Sequence, residues 1–96
     1  MAKLICLDSA FQWEREQVSK YPEIVVFIEK LKRIIKEKPE AGKPDPIIYK
    51  GKKLPCRKHS VKIEIFSRYN AMGYSFIMAS YLPSGDDIYI INMGYF

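Results

Sequence analysis

Cysteine is scarce in this sequence. Cys6 and Cys56 stand without a CxxC or mixed His/Cys ligand spacing around them, so neither a disulfide framework nor a metal site is expected. Both read as reduced thiols. Arg57 and Lys58 beside Cys56 would lower its pKa, but no partner for nucleophilic chemistry accompanies it. Long apolar runs are also missing. None approaches the roughly 18 residues of a membrane span, and the chain reaches Asp8 without the apolar core of a secretory signal. The expectation is a soluble, cytoplasmic protein with no membrane partner. Neither an internal repeat nor a low-complexity tract occurs, which removes solenoids and linkers from consideration. What remains is 96 residues, enough for one core and one domain over 1–96.

Acidic residues are rare in the middle of the chain. Between positions 30 and 62 lie 12 of the 16 lysines and arginines but only Glu37, Glu40 and Asp45, a local charge of +9; the remainder sums to −4. A positive field concentrated in this way captures polyanions, with strong dependence on salt. RNA is the partner expected. The bland alternative, a solvated lysine face that keeps a small protein soluble, accounts less well for an excess confined to one stretch.

Hydrophobic spacing predicts the elements. Lys3–Leu7 suits a first strand, and Ser9 with Gln12 matches a capping box before a helix reaching about Ser19. A second helix restarts at Tyr21-Pro22-Glu23 and carries Ile24, Phe27, Ile28, Leu31, Ile34 and Ile35 as one buried stripe. Three prolines and Gly42 between Pro39 and Pro46 break regular structure, and Lys50-Gly51-Lys52-Lys53 reads as an exposed basic turn. Alternation at 61–66 and denser apolar runs at 74–82 and 88–93 predict three closing strands. Turns at Arg68–Gly73 and Pro83–Asp86 are short enough to join antiparallel neighbours. The fold class expected is α+β, ordered β-α-α-β-β-β, with two helices on one face of a small antiparallel-type sheet and the other face available. Trp13, Tyr74, Phe76 and Tyr81 read as core or sheet-surface aromatics.

This order, together with the segment Gly42-Lys43-Pro44-Asp45-Pro46 after the second helix, resembles the RelE superfamily of bacterial toxins, and in particular the Gly-Lys-Pro-Glu-Pro segment of its YoeB branch. Ala2-Lys3-Leu4-Ile5 before an acidic helix start is a second, weaker likeness. The resemblance implies the toxin of a toxin–antitoxin pair, a metal-independent, cofactor-free endoribonuclease that cuts mRNA in the 30S A site and is silenced by an acidic antitoxin. In such cleavage the 2′-hydroxyl attacks the adjacent phosphate, so the site needs a base, cations and a proton donor. By motif position Asp45 stands for the family's glutamate base. Lys52, Lys53, Arg57, Lys58, Lys62 and Arg68 are the candidate phosphate ligands. His59 and Tyr95 are candidates for proton donation or stacking.

The sequence departs from the YoeB pattern at two places. Tyr95-Phe96 stand where that branch has histidine then tyrosine, and no arginine is found near Tyr74. These departures carry a second expectation from another class, a non-catalytic binder on the same scaffold, comparable to the gyrase-inhibiting ParE branch. A general RNA-binding module is the third. Taken alone, Asp45 between prolines reads as a turn residue and His59 as a surface residue.

Overall fold

The computed structural model describes residues 3–63 and 76–96. Strand β1 (Lys3–Cys6) leads into helix α1 (Asp8–Lys20), and a 3-10 turn (Pro22–Ile24) leads into α2 (Val25–Glu37). After a second 3-10 turn (Pro39–Ala41) come β2 (Lys43–Pro44), β3 (Ile47–Tyr49), β4 (Lys52–Leu54), β5 (Arg57–Lys62), β6 (Phe76–Ser84) and β7 (Asp87–Tyr95). Glu64, Ile65 and Phe66 of the expected strand, the Arg68–Gly73 turn, Arg68 itself and Tyr74 lie outside the described residues.

The apolar stripe of the second helix is buried as its spacing predicts except at Ile34, which is only part-buried at the edge of the core. Ile24, Ile28, Leu31 and Ile35 are fully buried and Phe27 nearly so, each side chain contributing about 1.5–3 kcal/mol relative to exposure. Pro22 opens the preceding turn, where its missing N–H costs nothing, and Pro39 follows the C-terminal residue Lys38. Helix α1 has fewer apolar residues and holds to the sheet through Ala10, Trp13 and Val18. The expected capping box does not form. Asp8 already lies in the helix, no side chain caps it, and Ser9 donates instead to the carbonyl of Ile91 at 2.8 Å. Gln12 turns along the helix to Glu16. A tertiary acceptor on β7 therefore takes the hydroxyl that the local pattern reserved for the helix end.

The architecture is α+β, with α1 and α2 against a five-stranded sheet in the order β1-β7-β6-β5-β2. The sheet is mixed, which corrects the antiparallel-type expectation. Strands β2, β5, β6 and β7 pair antiparallel, whereas β1 lies parallel to β7. Short turns dictate only the pairing of strands they join; β1 and β7 are separated by nearly the whole chain and are free to run the same way. Between β6 and β7 the register slips at Ser80/Tyr81, leaving Ile91 as the extra residue of a bulge. The slip changes which residues of β7 face the helices: Ile88 and Ile90 before it, Met93 and Tyr95 after it. With Val61, Ile77, Ala79 and Tyr81 they close one core under both helices.

Two further expectations shift. The exposed basic turn is confined to Lys50-Gly51, the tip of a hairpin between β3 and β4, and Lys52 and Lys53 belong to its second strand. The turn before β7 is confined to Gly85-Asp86, because Pro83 and Ser84 already pair with Ile88 and Asp87. Among the described residues no helix is long and apolar enough to cross a membrane.

Candidate nucleic-acid interface

The pleat sorts the side chains of β5 between two faces. Directly opposed residues share a face, and the pairs Arg57–Tyr81, His59–Ala79 and Val61–Ile77 put Arg57, His59 and Val61 on the helix side. Lys58, Ser60 and Lys62 oppose Ser80, Met78 and Phe76 on the helix-free side. The sequence-predicted phosphate group is thus divided. Lys58 and Lys62 remain together, and β2 adds Lys43, which opposes Lys58 and joins that face. Among the described residues none of these three lysines is ion-paired.

Arg57 has another task. Its guanidinium donates to the carbonyls of Gly42 at 2.6 Å and Glu40 at 3.3 Å. Its cross-strand partner Tyr81 donates its hydroxyl to the carbonyl of Pro39 at 2.6 Å and accepts from the N–H of Gly42 at 3.1 Å. Four hydrogen bonds from two neighbouring side chains therefore fasten the Pro39–Gly42 connector to the sheet. A Cβ on Gly42 would overlap the Tyr81 hydroxyl and lie 3.0 Å from the Lys58 carbonyl oxygen, so only glycine allows this approach. Burial pushes the Tyr81 phenol up, against the opposing effects of the Gly42 N–H and Arg57.

The connector delivers Asp45 to the start of β5. Its N–H donates to the Cys56 carbonyl at 2.8 Å, and its charge, second to burial, holds the Cys56 thiol above its ordinary value. Arg57 and Lys58 therefore do not lower it. The buried sulfur responds to desolvation and a nearby carboxylate, not to the cations beside it in sequence. Asp45 thus lies beside Cys56, two positions before Lys58, whereas the other two catalytic candidates lie elsewhere. Tyr95 is on the helix side, its ring 5.0 Å from Trp13 and its hydroxyl donating to Gln17 at 3.0 Å. His59 is half-buried beneath the same side of β5. Asp45, His59 and Tyr95 are not brought to one point.

An aromatic pair, of which the sequence singles out only Phe76, as a core or sheet-surface ring, completes the helix-free face. Phe76 and Phe96 exchange backbone hydrogen bonds at 2.9 and 3.0 Å, and their rings stack at 5.1 Å with 16° between planes. Phe96 is 52% exposed. Lys62, Phe76 and Phe96 form one row across three strands; Ser60, Met78 and Gly94 form the next; Lys43, Lys58, Ser80 and Asn92 the third. Rows of this kind are about 7 Å apart. Above Gly94 there is open space, since a Cβ there would meet nothing within 4 Å. The result is a shallow notch between an aromatic stack whose outer ring, Phe96, is exposed and a row with two lysines at its end. The signal for it was the alternation of Phe76, Met78 and Ser80 against Lys58, Ser60 and Lys62, which becomes readable only once the strand register is known.

Two other features lie away from this face. A depression of about 770 Å³ along α1, lined by Asp8, Phe11, Arg15 and Lys20 among others, contains none of the sequence-predicted site residues. Lys32 pairs with Glu14 at 2.6 Å between the helices; burial opposes its charge, but the Glu14 hydrogen bond and neighbouring charges prevail and raise its pKa. Among the described residues no three His, Cys, Asp or Glu side chains converge as a metal ligand set would. No family model matches the chain, and neither a curated protein nor a solved structure matches it.

Proposed function

We propose that this chain is an RNA-binding toxin of the RelE/YoeB kind that lays a single strand of mRNA across the helix-free face of its sheet and cleaves it on the ribosome. The observation that carries the RNA reading is the row arrangement: Lys43, Lys58 and Lys62 share one face with the stacked Phe76 and Phe96. Cations for the phosphates and an exposed ring for a base are the two components that single-strand binding requires. The order of strands and helices and the Gly42–Pro46 segment support the RelE-like assignment.

For cleavage, Asp45 accepts the proton of the attacking 2′-hydroxyl, and Lys43 and Lys58 stabilise the charge that develops on the phosphorane. The O5′–P bond breaks as the 2′-O–P bond forms, and the leaving 5′ oxygen takes a proton from a lysine ammonium or water. The test is primer extension on a defined mRNA in a purified translating system. Cuts at A-site codons that need ribosomes and fall at least about a hundredfold with Asp45→Ala are expected, this being the order of a general-base contribution. Intact mRNA with well-folded protein would remove the nuclease reading.

A second reading has a specific observation behind it. Tyr95 is engaged by Trp13 and Gln17, and His59 lies on the helix side, so neither of the two candidate proton donors stands with Lys58 and Lys62. This favours a binder on the same scaffold that occupies RNA without cutting it. Either form is expected to be neutralised by an acidic antitoxin covering the lysine rows.

A further inference from the structure

Lys50, Lys52 and Lys53 do not belong to the helix-free face. They belong to the β3–β4 hairpin, which pairs only within itself and forms a separate two-stranded sheet. From Pro46 to Pro55 it contains no acid. Ile48 on its outer side is 75% exposed, and Lys50, Gly51, Lys52 and Lys53 are all exposed. Tyr49 opposes Lys52 and Ile48 opposes Lys53, so the two lysines of β4 project from opposite faces of the ribbon. Lys50 occupies the tip. Its φ of 50° and the 79° of Gly51 describe a turn that favours Asn-Gly, at a cost of about 1 kcal/mol for a lysine. A cation thus stands where the backbone prefers another residue. Its ammonium lies 5.4 Å over the Tyr49 ring, which leaves that ring less free for base stacking.

From this geometry we infer that the hairpin is a second RNA site, which inserts between the two phosphate walls of a duplex. The inference rests on the RNA reading above and gives it a second contact, to structured RNA rather than to the cleaved strand. Charge on one face, as at Lys58 and Lys62, suits a strand laid flat. Charge on both faces and at the tip suits a duplex, whose phosphates lie on either side of a groove and which, for RNA, is bound through its backbone. Lacking a free aromatic platform, the ribbon binds backbone without reading sequence.

The experiment is fluorescence anisotropy of the full chain with two probes, an RNA hairpin stem of about 16 base pairs and a single strand of about 12 uridines, over a salt series. The triple variant Lys50→Glu/Lys52→Glu/Lys53→Glu is expected to weaken stem binding at least about tenfold and to flatten its log–log salt slope by about 2 to 3. Single-strand affinity should change less than about threefold. The Lys50→Arg/Lys52→Arg/Lys53→Arg variant should retain stem binding, which separates lost charge from a misfolded hairpin. Equal losses on both probes, or unchanged stem binding, overturn the inference. Equal stem binding by the wild type and a matching DNA duplex identifies a backbone contact, whereas preference for the DNA overturns the RNA assignment. If the wild type binds the stem but not the single strand, the hairpin site stands and the sheet-face reading fails; the reverse result leaves the sheet face and removes the hairpin.

Discussion

Arg57 and Tyr81 show how the environment of a residue decides its task. A guanidinium binds phosphates and carbonyls with equal chemical justification, and the sequence around Arg57 favours the first. The structure gives it the carbonyls of Glu40 and Gly42. Tyr81→Phe removes a hydroxyl that serves Pro39 and the buried Gly42 N–H, and leaving such groups unpaired costs about 1–3 kcal/mol. The melting temperature should fall by about 5 °C or more for a chain of this size. Gly42→Ala should cost about 1–3 kcal/mol by overlap with the same hydroxyl. The two substitutions share a contact, so the double variant should be less destabilised than the sum of the singles; additive losses would mean that the connector is not held by this pair. From residue types Gly42 read only as a breaker and as part of the Gly42–Pro46 segment; an approach by a residue 39 positions away was not legible.

At the level of elements, legibility followed hydrophobic periodicity. Helix α2 and the turn before it were readable because Ile24, Ile28, Leu31 and Ile35 recur every three or four residues and are all buried, and Leu31→Ala should cost about 2–5 kcal/mol in a denaturant melt. Strand β5 begins at Arg57, four residues before its first well-buried side chain, Val61, so its polar half carried no apolar signal. The β3–β4 hairpin was hidden for a related reason. Its strands are three residues long and one of them is mostly lysine. Sites assembled by pairing are harder still: Lys43, Lys58, Phe76 and Phe96 meet through β2–β5, β5–β6 and β6–β7 registers, none of which periodicity specifies. The notch they border is itself testable. Gly94→Leu fills space that is open in the fold and should weaken single-strand RNA binding while leaving the melting temperature within a few degrees. Unchanged affinity would mean that no base occupies the notch.

For the whole molecule, the sign of several titrations coincides. Burial raises Cys6 and Cys56 above the ordinary thiol value of 9.0, burial raises Tyr81 above 10.0, and Lys32, despite burial, is raised above 10.5 through Glu14. The unfolded chain releases these protons first. Above about pH 9 it therefore binds fewer protons than the folded chain, and stability must fall as pH rises further. Melting temperatures measured from about pH 8 to about pH 10.5 should decline, less steeply in Tyr81→Phe; a flat or rising profile would contradict these placements. The same whole-molecule view explains the charge distribution. Half of the twelve cations in the +9 stretch lie on two separate surfaces, the sheet rows and the hairpin; Lys30, Lys32, Arg33, Lys36 and Lys38 belong to α2 and its end, and Arg57 holds the connector.

The most direct test of the central claim is equilibrium binding of a short single-stranded RNA to the wild type, Lys58→Glu/Lys62→Glu and Phe96→Ala, across a range of salt. A functioning helix-free face requires that the lysine variant lose affinity and that its salt slope flatten by about 1.4, the contribution of two phosphate contacts. Phe96→Ala should lose about 1–3 kcal/mol of binding, the value of one stacked base, with little change in slope. Wild-type affinity and slope in both variants, with folding intact, would show that RNA does not bind on this face.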